Sequence, residues 1–318
     1  MSGVRRLSGH GPSFDAYYRQ VSPQLLARVR QLWSARGLDL DAVWRVAVRA
    51  MPGFRAPQAA EPPADSRPVD LLLLFDQAAI WLHGLQAGTG CALRSAAAGR
   101  SALTPDQLRS LLAILARLHD EIAAVRVLAL AGLATPAMQI IRSISEDVDM
   151  ALVMLLRPKV ARQFAECHSP QEAGDFWKRH IAGGRAFRAV AEQLYRVGLD
   201  YSDDSSYARW RKEVQVLLGA AVHTSYLGIG SPAREGTGAL TPAAQECLHF
   251  ATVRLQEMCV YSLMLGQALR QDLAAGAVRA DAAELPLVGV AVDGSEIILD
   301  QMRWLTAADE PEPAAPVS

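Results

Sequence analysis

The sequence predicts an all-α protein, an antiparallel helical bundle with a short β-hairpin near its C-terminus, and three observations carry that reading. A Ser or Thr followed by Pro recurs at Ser22-Pro23, Thr104-Pro105, Thr135-Pro136, Ser169-Pro170 and Thr241-Pro242, each time ahead of a helical pattern. The hydroxyl satisfies an orphan N–H of the first turn, and Pro at the first helical position loses no hydrogen bond. Half of the residues are hydrophobic (51%) but only 6% aromatic, so the core rests on Ala, Leu and Val, which suits close helix packing. Long runs then repeat with the helical period.

These signals place helices near 22–36, 40–51, 69–87, 104–132, 135–156, 170–181, 184–197, 204–227 and 241–276. Two starts carry full capping boxes, Thr104 with Gln107 and Ser169 with Glu172. Gly132 stops one long helix just before Thr135 starts the next, a connection short enough for an antiparallel hairpin. The first two helices form an N-terminal pair (1–53), followed by a Pro/Ala-rich linker (54–67) and the main bundle (68–279). Farther on, the β-branched runs LVGVAV and SEIILD flank Asp293-Gly294, which reads as a type I′ hairpin over 285–302. Residues 306–318 read as a disordered tail.

With 32 basic and 33 acidic residues the formal net charge is −1, so any attraction for nucleic acid or anionic lipid must come from a local patch. Lysines are confined to Lys159, Lys178 and Lys212, and the Arg/Ala excess looks like the codon bias of a GC-rich bacterial genome. The cysteines Cys91, Cys167, Cys247 and Cys259 are scattered, as reduced cytosolic thiols are. The N-terminus lacks a signal-peptide core, and the richest apolar run, Ile122 to Ala134, is too short and is interrupted by Arg126. The expectation is a cytoplasmic protein with no membrane partner.

In the helix after Thr135-Pro136, Ile141, Ile144, Val148, Leu152 and Leu155 form one apolar stripe, opposite Gln139, Arg142, Glu146 and Asp149. Met150, Val153 and Met154 make its second half apolar nearly all round, and Asp147 falls inside the apolar arc. Arg142 and Glu146 therefore have two readings, an i,i+4 pair on an exposed face or, since such a helix is not wet along one whole face, a pair at least half buried. His223, in VLLGAAVHTSYLG, ends an apolar helix and has two readings, a satisfied core residue or a catalyst.

The spacing of Arg142 and Glu146, followed much later by Val222, His223 and Ser225, resembles an uncharacterised bacterial helical family similar to the HEPN (higher eukaryotes and prokaryotes nucleotide-binding) domains. The resemblance covers roughly residues 70–270. It implies a helical bundle, often dimeric, of a toxin–antitoxin or phage-defence kind that acts on RNA or nucleotide. On it, Arg142, Glu146 and His223 are the catalytic candidates. The ribonuclease signature of those domains, Arg and then His after four to six residues, is matched by Arg162 and His168, with Gln163 where Asn, Asp or His is usual. The alternative is a non-catalytic interaction or scaffold module in which Arg142, Glu146 and His223 form a structural network. Whether the chain is an enzyme stays open between them, as does the partner: RNA or nucleotide, another protein, or a second copy of the chain.

Other chemistry has little support. Glu246-x-x-His249 has the spacing of a di-iron ligand pair but no second copy, and no Cys/His set has zinc spacing, so neither metal nor cofactor is expected. Phosphate-binding glycine loops and a nucleophile elbow are absent. One surface feature stands out. Trp177, Lys178, Arg179, His180, Arg185 and Arg188 form a basic strip across Gly183-Gly184, suited to phosphate or an acidic partner or, with Glu172, Asp175 and Glu192 nearby, to a merely solvated face.

Overall fold

The computed structural model describes residues 13–51, 67–96, 101–198, 240–282 and 284–308, with Phe54, Gly99 and scattered positions between 209 and 219. In chain order the helices are α1 (Phe14–Tyr17), α2 (Pro23–Ala35), α3 (Leu40–Ala50), α4 (Arg67–Ala96), α5 (Pro105–Leu130), α6 (Ala134–Leu156), α7 (Pro158–Ala165), α8 (Pro170–His180), α9 (Arg185–Arg196), α10 (Pro242–Leu265), α11 (Gln267–Ala277), α12 (Leu285–Asp293) and α13 (Ser295–Ala308). No strand occurs among the described residues.

The capping grammar explains most of these starts. Thr104, Ser169 and Thr241 each accept a first-turn N–H, and both capping boxes are complete. Ser22 caps α2 without a side-chain bond; its own N–H donates to Asp70 of α4 at 2.7 Å. Thr135 departs from expectation: α6 begins at Ala134, and Pro136 sits within the first turn, where its missing N–H is no loss.

Helix α4 is apolar nearly all round and lies at the centre, touching α5, α10, α11 and α12. Its pairing with α5 joins Asp76 to Arg126 and His83 to His119, so the two run antiparallel. Gln107 at the start of α5 donates to the carbonyls of Met154 and Leu155 at the end of α6, so that pair is antiparallel too. Helix α10 instead runs in the same direction as α6, since Cys247 reaches the Ala134 carbonyl and Arg254 that of Ser145. The chain between α6 and α10 returns through α7, α8 and α9, which permits this.

The β-hairpin over 285–302 is replaced by two helices, α12 and α13. A type I′ turn requires positive φ at both central residues, whereas Gly294 has φ −74°. Tertiary packing overrides the β-branched composition. Helix α12 buries Leu287, Val288, Val290 and Ala291 against α4, where Gly84 and Gly88 let the backbones approach. A Cβ at Gly84 would stand 2.6 Å from the Leu287 carbonyl oxygen.

The N-terminal helices share one continuous apolar core with the bundle, from Phe14 to Ile298. Trp33 donates to Gln77 at 2.7 Å, and Tyr18 to Asp76 at 2.7 Å. Residues 306–308 of the expected tail continue α13, while 309–318, most of 54–67, most of the expected helix 204–227 and His223 lie outside the described residues.

Candidate functional site

Positions 142, 146 and 149 of α6 stack one above another at helical spacing, and the site is built on them. The expected apolar stripe (Ile141, Ile144, Val148, Leu152, Leu155) is buried on the core side. Arg142 and Glu146 are paired at 3.1 Å with side chains 35% and 31% exposed, so both are more than half buried. The indole N–H of Trp177, on α8, donates to the other Glu146 oxygen at 3.4 Å. A Cβ on Gly219 would lie 4.0 Å from Arg142 Nη1, which sets the 209–219 stretch beside this pair.

One turn deeper the stripe is sealed. Asp149 accepts from Arg211 on one oxygen and from Arg254 of α10 on the other, each at 2.7 Å. Arg254 also donates to the Ser145 carbonyl and pairs with Glu257. The Arg211 guanidinium lies 3.7 Å from the centre of the Phe187 ring of α9. All four charged side chains are buried, and two acids face two arginines, so the cluster is neutral and mutually paired. It ties α6, α10 and the 211–214 stretch together.

A different balance holds on the α5 side of α6. Arg117 Nε lies 3.0 Å from both Glu121 and Asp147, and the guanidinium also meets Ser143. One arginine thus serves two carboxylates, with Glu146 close by. Burial raises the Asp147 pKa to about 7; Arg117 pulls it down, but Glu121 and Glu146 push it up. Farther along α5, the His119 ring lies 5.0 Å from that of His83 on α4. Burial first, then the neighbouring His119, lowers His83 to about 4.

The other candidates do not converge. Arg162 is spent on Glu166 at 2.9 Å, while His168 donates its backbone N–H to Glu172 in the α8 capping box. Both side chains are exposed and no described contact joins them. The basic strip is on the surface: Lys178, Arg179, Arg185 and Arg188 are all exposed, as is Trp177. Among the described residues no group of three or more His, Cys, Asp or Glu is arranged to hold a metal. No described helix is long and apolar enough to cross a membrane.

Sequence reasoning missed the roles of Asp149, Arg211, Arg254 and Glu257. A signal existed for Arg254 and Glu257: two opposite charges three apart inside a helix whose neighbouring positions are mostly apolar. Arg126 announced itself only as an interruption of an apolar run. Compared with models of protein families, with curated proteins and with solved structures, the chain has no match.

Proposed function

We propose that the chain is a non-catalytic helical interaction module, in which the charges along α6 fix how the helices pack and function lies on the outer surface. The observation that carries this reading is Asp149, whose two oxygens are each taken by a separate buried arginine at 2.7 Å. A carboxylate so engaged holds three segments in register and has no open position for a substrate. Arg142 and Glu146 continue the same stripe, paired to each other and to Trp177.

A second reading, a HEPN-like protein of a toxin or phage-defence kind acting on RNA, is favoured by one observation. Gly219 stands against Arg142, and His223 follows Gly219 by four residues in the sequence. The two readings separate on the His223→Ala variant. The module reading expects labelled RNA to stay intact with wild-type protein, and His223→Ala to lower the melting midpoint by the loss of a buried hydrogen bond, about 1–3 kcal/mol. Cleavage by wild type that vanishes in a His223→Ala protein of unchanged stability would establish the second reading and discard the first.

A further inference from the structure

We infer that the outer ridge of α9, with the cleft at its end, is a docking surface for the sugar-phosphate backbone of single-stranded nucleic acid. The inference rests on the interaction-module reading and names its partner. Over residues 157–196 the chain has eight basic and four acidic residues, in a protein of formal net charge −1. On α9 the basic residues are ordered: at 100° per residue, Tyr195, Arg188, Glu192, Arg185 and Arg196 fall within one arc of about 100°. All five are exposed, while Ala186, Ala189, Val190 and Leu194 are buried on the inner side. From Arg185 to Arg196 the ridge is about 16 Å long.

Among the described residues the three arginines of the ridge meet no carboxylate. Arg185 donates to the Lys178 carbonyl, Arg188 to the Gly183 carbonyl at 3.3 Å, and Arg196 to the Gln193 amide oxygen at 3.3 Å, all neutral acceptors. The ridge runs into a cleft of about 200 Å³ lined by Leu156, Arg157, Ala189, Glu192, Gln193 and Arg196. Two guanidiniums therefore line that cleft, and among the described residues Glu192, 3.8 Å from Arg157, is the one acid in its lining. Tyr195, 67% exposed among the arginines, is what distinguishes the partner. An acidic protein segment needs the charges alone, whereas a single strand of nucleic acid uses cations for its phosphates and an aromatic face for its bases.

The test is fluorescence anisotropy of the full chain with a fluorescein-labelled oligouridylate, titrated across salt concentration, with polyglutamate as competitor. Wild type is expected to bind at low salt with a linear fall of log K against log salt. Arg188→Glu with Arg196→Glu should weaken binding at least tenfold at about 50 mM salt and flatten the slope by about 1.4, or 0.7 per lost phosphate contact. Circular dichroism checks that this variant is folded, and Arg188→Gln with Arg196→Gln replaces it if it is not. Tyr195→Ala should weaken binding severalfold and leave the slope unchanged. Absence of binding by wild type, or undiminished binding by a folded arginine variant, overturns the proposal. Polyglutamate competing as well as the oligonucleotide at matched charge, or a silent Tyr195→Ala, also overturns it, in favour of an acidic protein. Cleavage of the oligonucleotide would sink the non-catalytic reading and leave the docking surface standing, so the two failures are distinguishable.

Discussion

Arg126 and Arg254 are both buried arginines on long bundle helices, yet their surroundings differ in kind. Among the described residues Arg126 faces one carboxylate, Asp76, with bonds of 2.7 and 2.9 Å and both side chains 0% exposed. Its remaining surroundings are aromatic: Tyr17 accepts at 2.7 Å, and the Phe54 ring centre lies 4.5 Å from the guanidinium carbon. Burial acts against the Arg126 charge, but Asp76 outweighs it and holds the pKa above the usual arginine value. Burial likewise raises Tyr17 to about 12. Arg254 shares Asp149 with Arg211 and has Glu257 besides, while the Arg142–Glu146 pair lies one turn nearer the surface on the same helix as Asp149. The first arrangement is a closed pair that fastens the N-terminal helices; the second is a distributed one whose members can substitute for one another. A buried charge with one described counter-charge is fragile, and a charge with several is buffered.

The largest expected effect follows from that fragility. Asp76→Ala should cost about 3–5 kcal/mol in denaturant melts, because it strands a sealed guanidinium. Arg126→Met with Asp76→Leu should restore much of it, since no charge is then left buried. A single-site cost near zero would mean that water reaches Arg126 and the comparison fails.

Asp149→Asn should cost less, about 1.5–3 kcal/mol, because it weakens charged hydrogen bonds while Glu257 still neutralises Arg254. If it equals or exceeds Asp76→Ala in the same melts, the distributed network offers no buffering.

Asp147 sharpens the contrast from the opposite direction, since it has too few partners rather than several. Its folded pKa of about 7 lies above the unfolded value of about 3.9, so the fold binds its proton more tightly than the unfolded chain does. The associated stability is fully present below about pH 4 and is lost as pH rises through about 7. Compared with wild type across that window, Asp147→Asn should flatten the pH dependence and be relatively more stable at pH 8. The gain should be about 1–2 kcal/mol, less than the full shift implies, because the neutral amide gives up the charge attraction to Arg117. Parallel pH profiles for the two proteins would show that Asp147 ionises normally.

The smallest effect concerns Arg142 and Glu146. At about one-third exposure the pair should be worth no more than about 1 kcal/mol, read as the coupling in a cycle of Arg142→Met, Glu146→Gln and the double variant. A coupling of several kcal/mol would extend the sealed network outward to include them.

What was legible in the sequence was local. The Thr104–Gln107 and Ser169–Glu172 boxes and the Arg142–Glu146 pair lie within four residues of their partners, and each is found in place. Asp76 and Arg126 stand 50 positions apart and Asp149 and Arg254 105 apart, so nothing in either neighbourhood names the partner. The segment after Leu285 misled for the same reason. Asp293-Gly294 between β-branched runs is a local hairpin signal, and only the glycine notches on α4, some two hundred residues earlier, make a helix the better solution.

That notch also bears on how the chain comes off the ribosome. Gly84 and Gly88 receive Leu287, Val290 and Ala291 at backbone distance, and Gly276 presses on Ala92 of the same helix. The central helix is thus made well before α11 and α12, two of the helices that cover it. At ordinary elongation rates of about 5–20 residues per second, α4 waits roughly 10–40 s with an apolar flank uncovered. Nascent chains of this protein are therefore expected to be chaperone clients until α11 and α12 emerge.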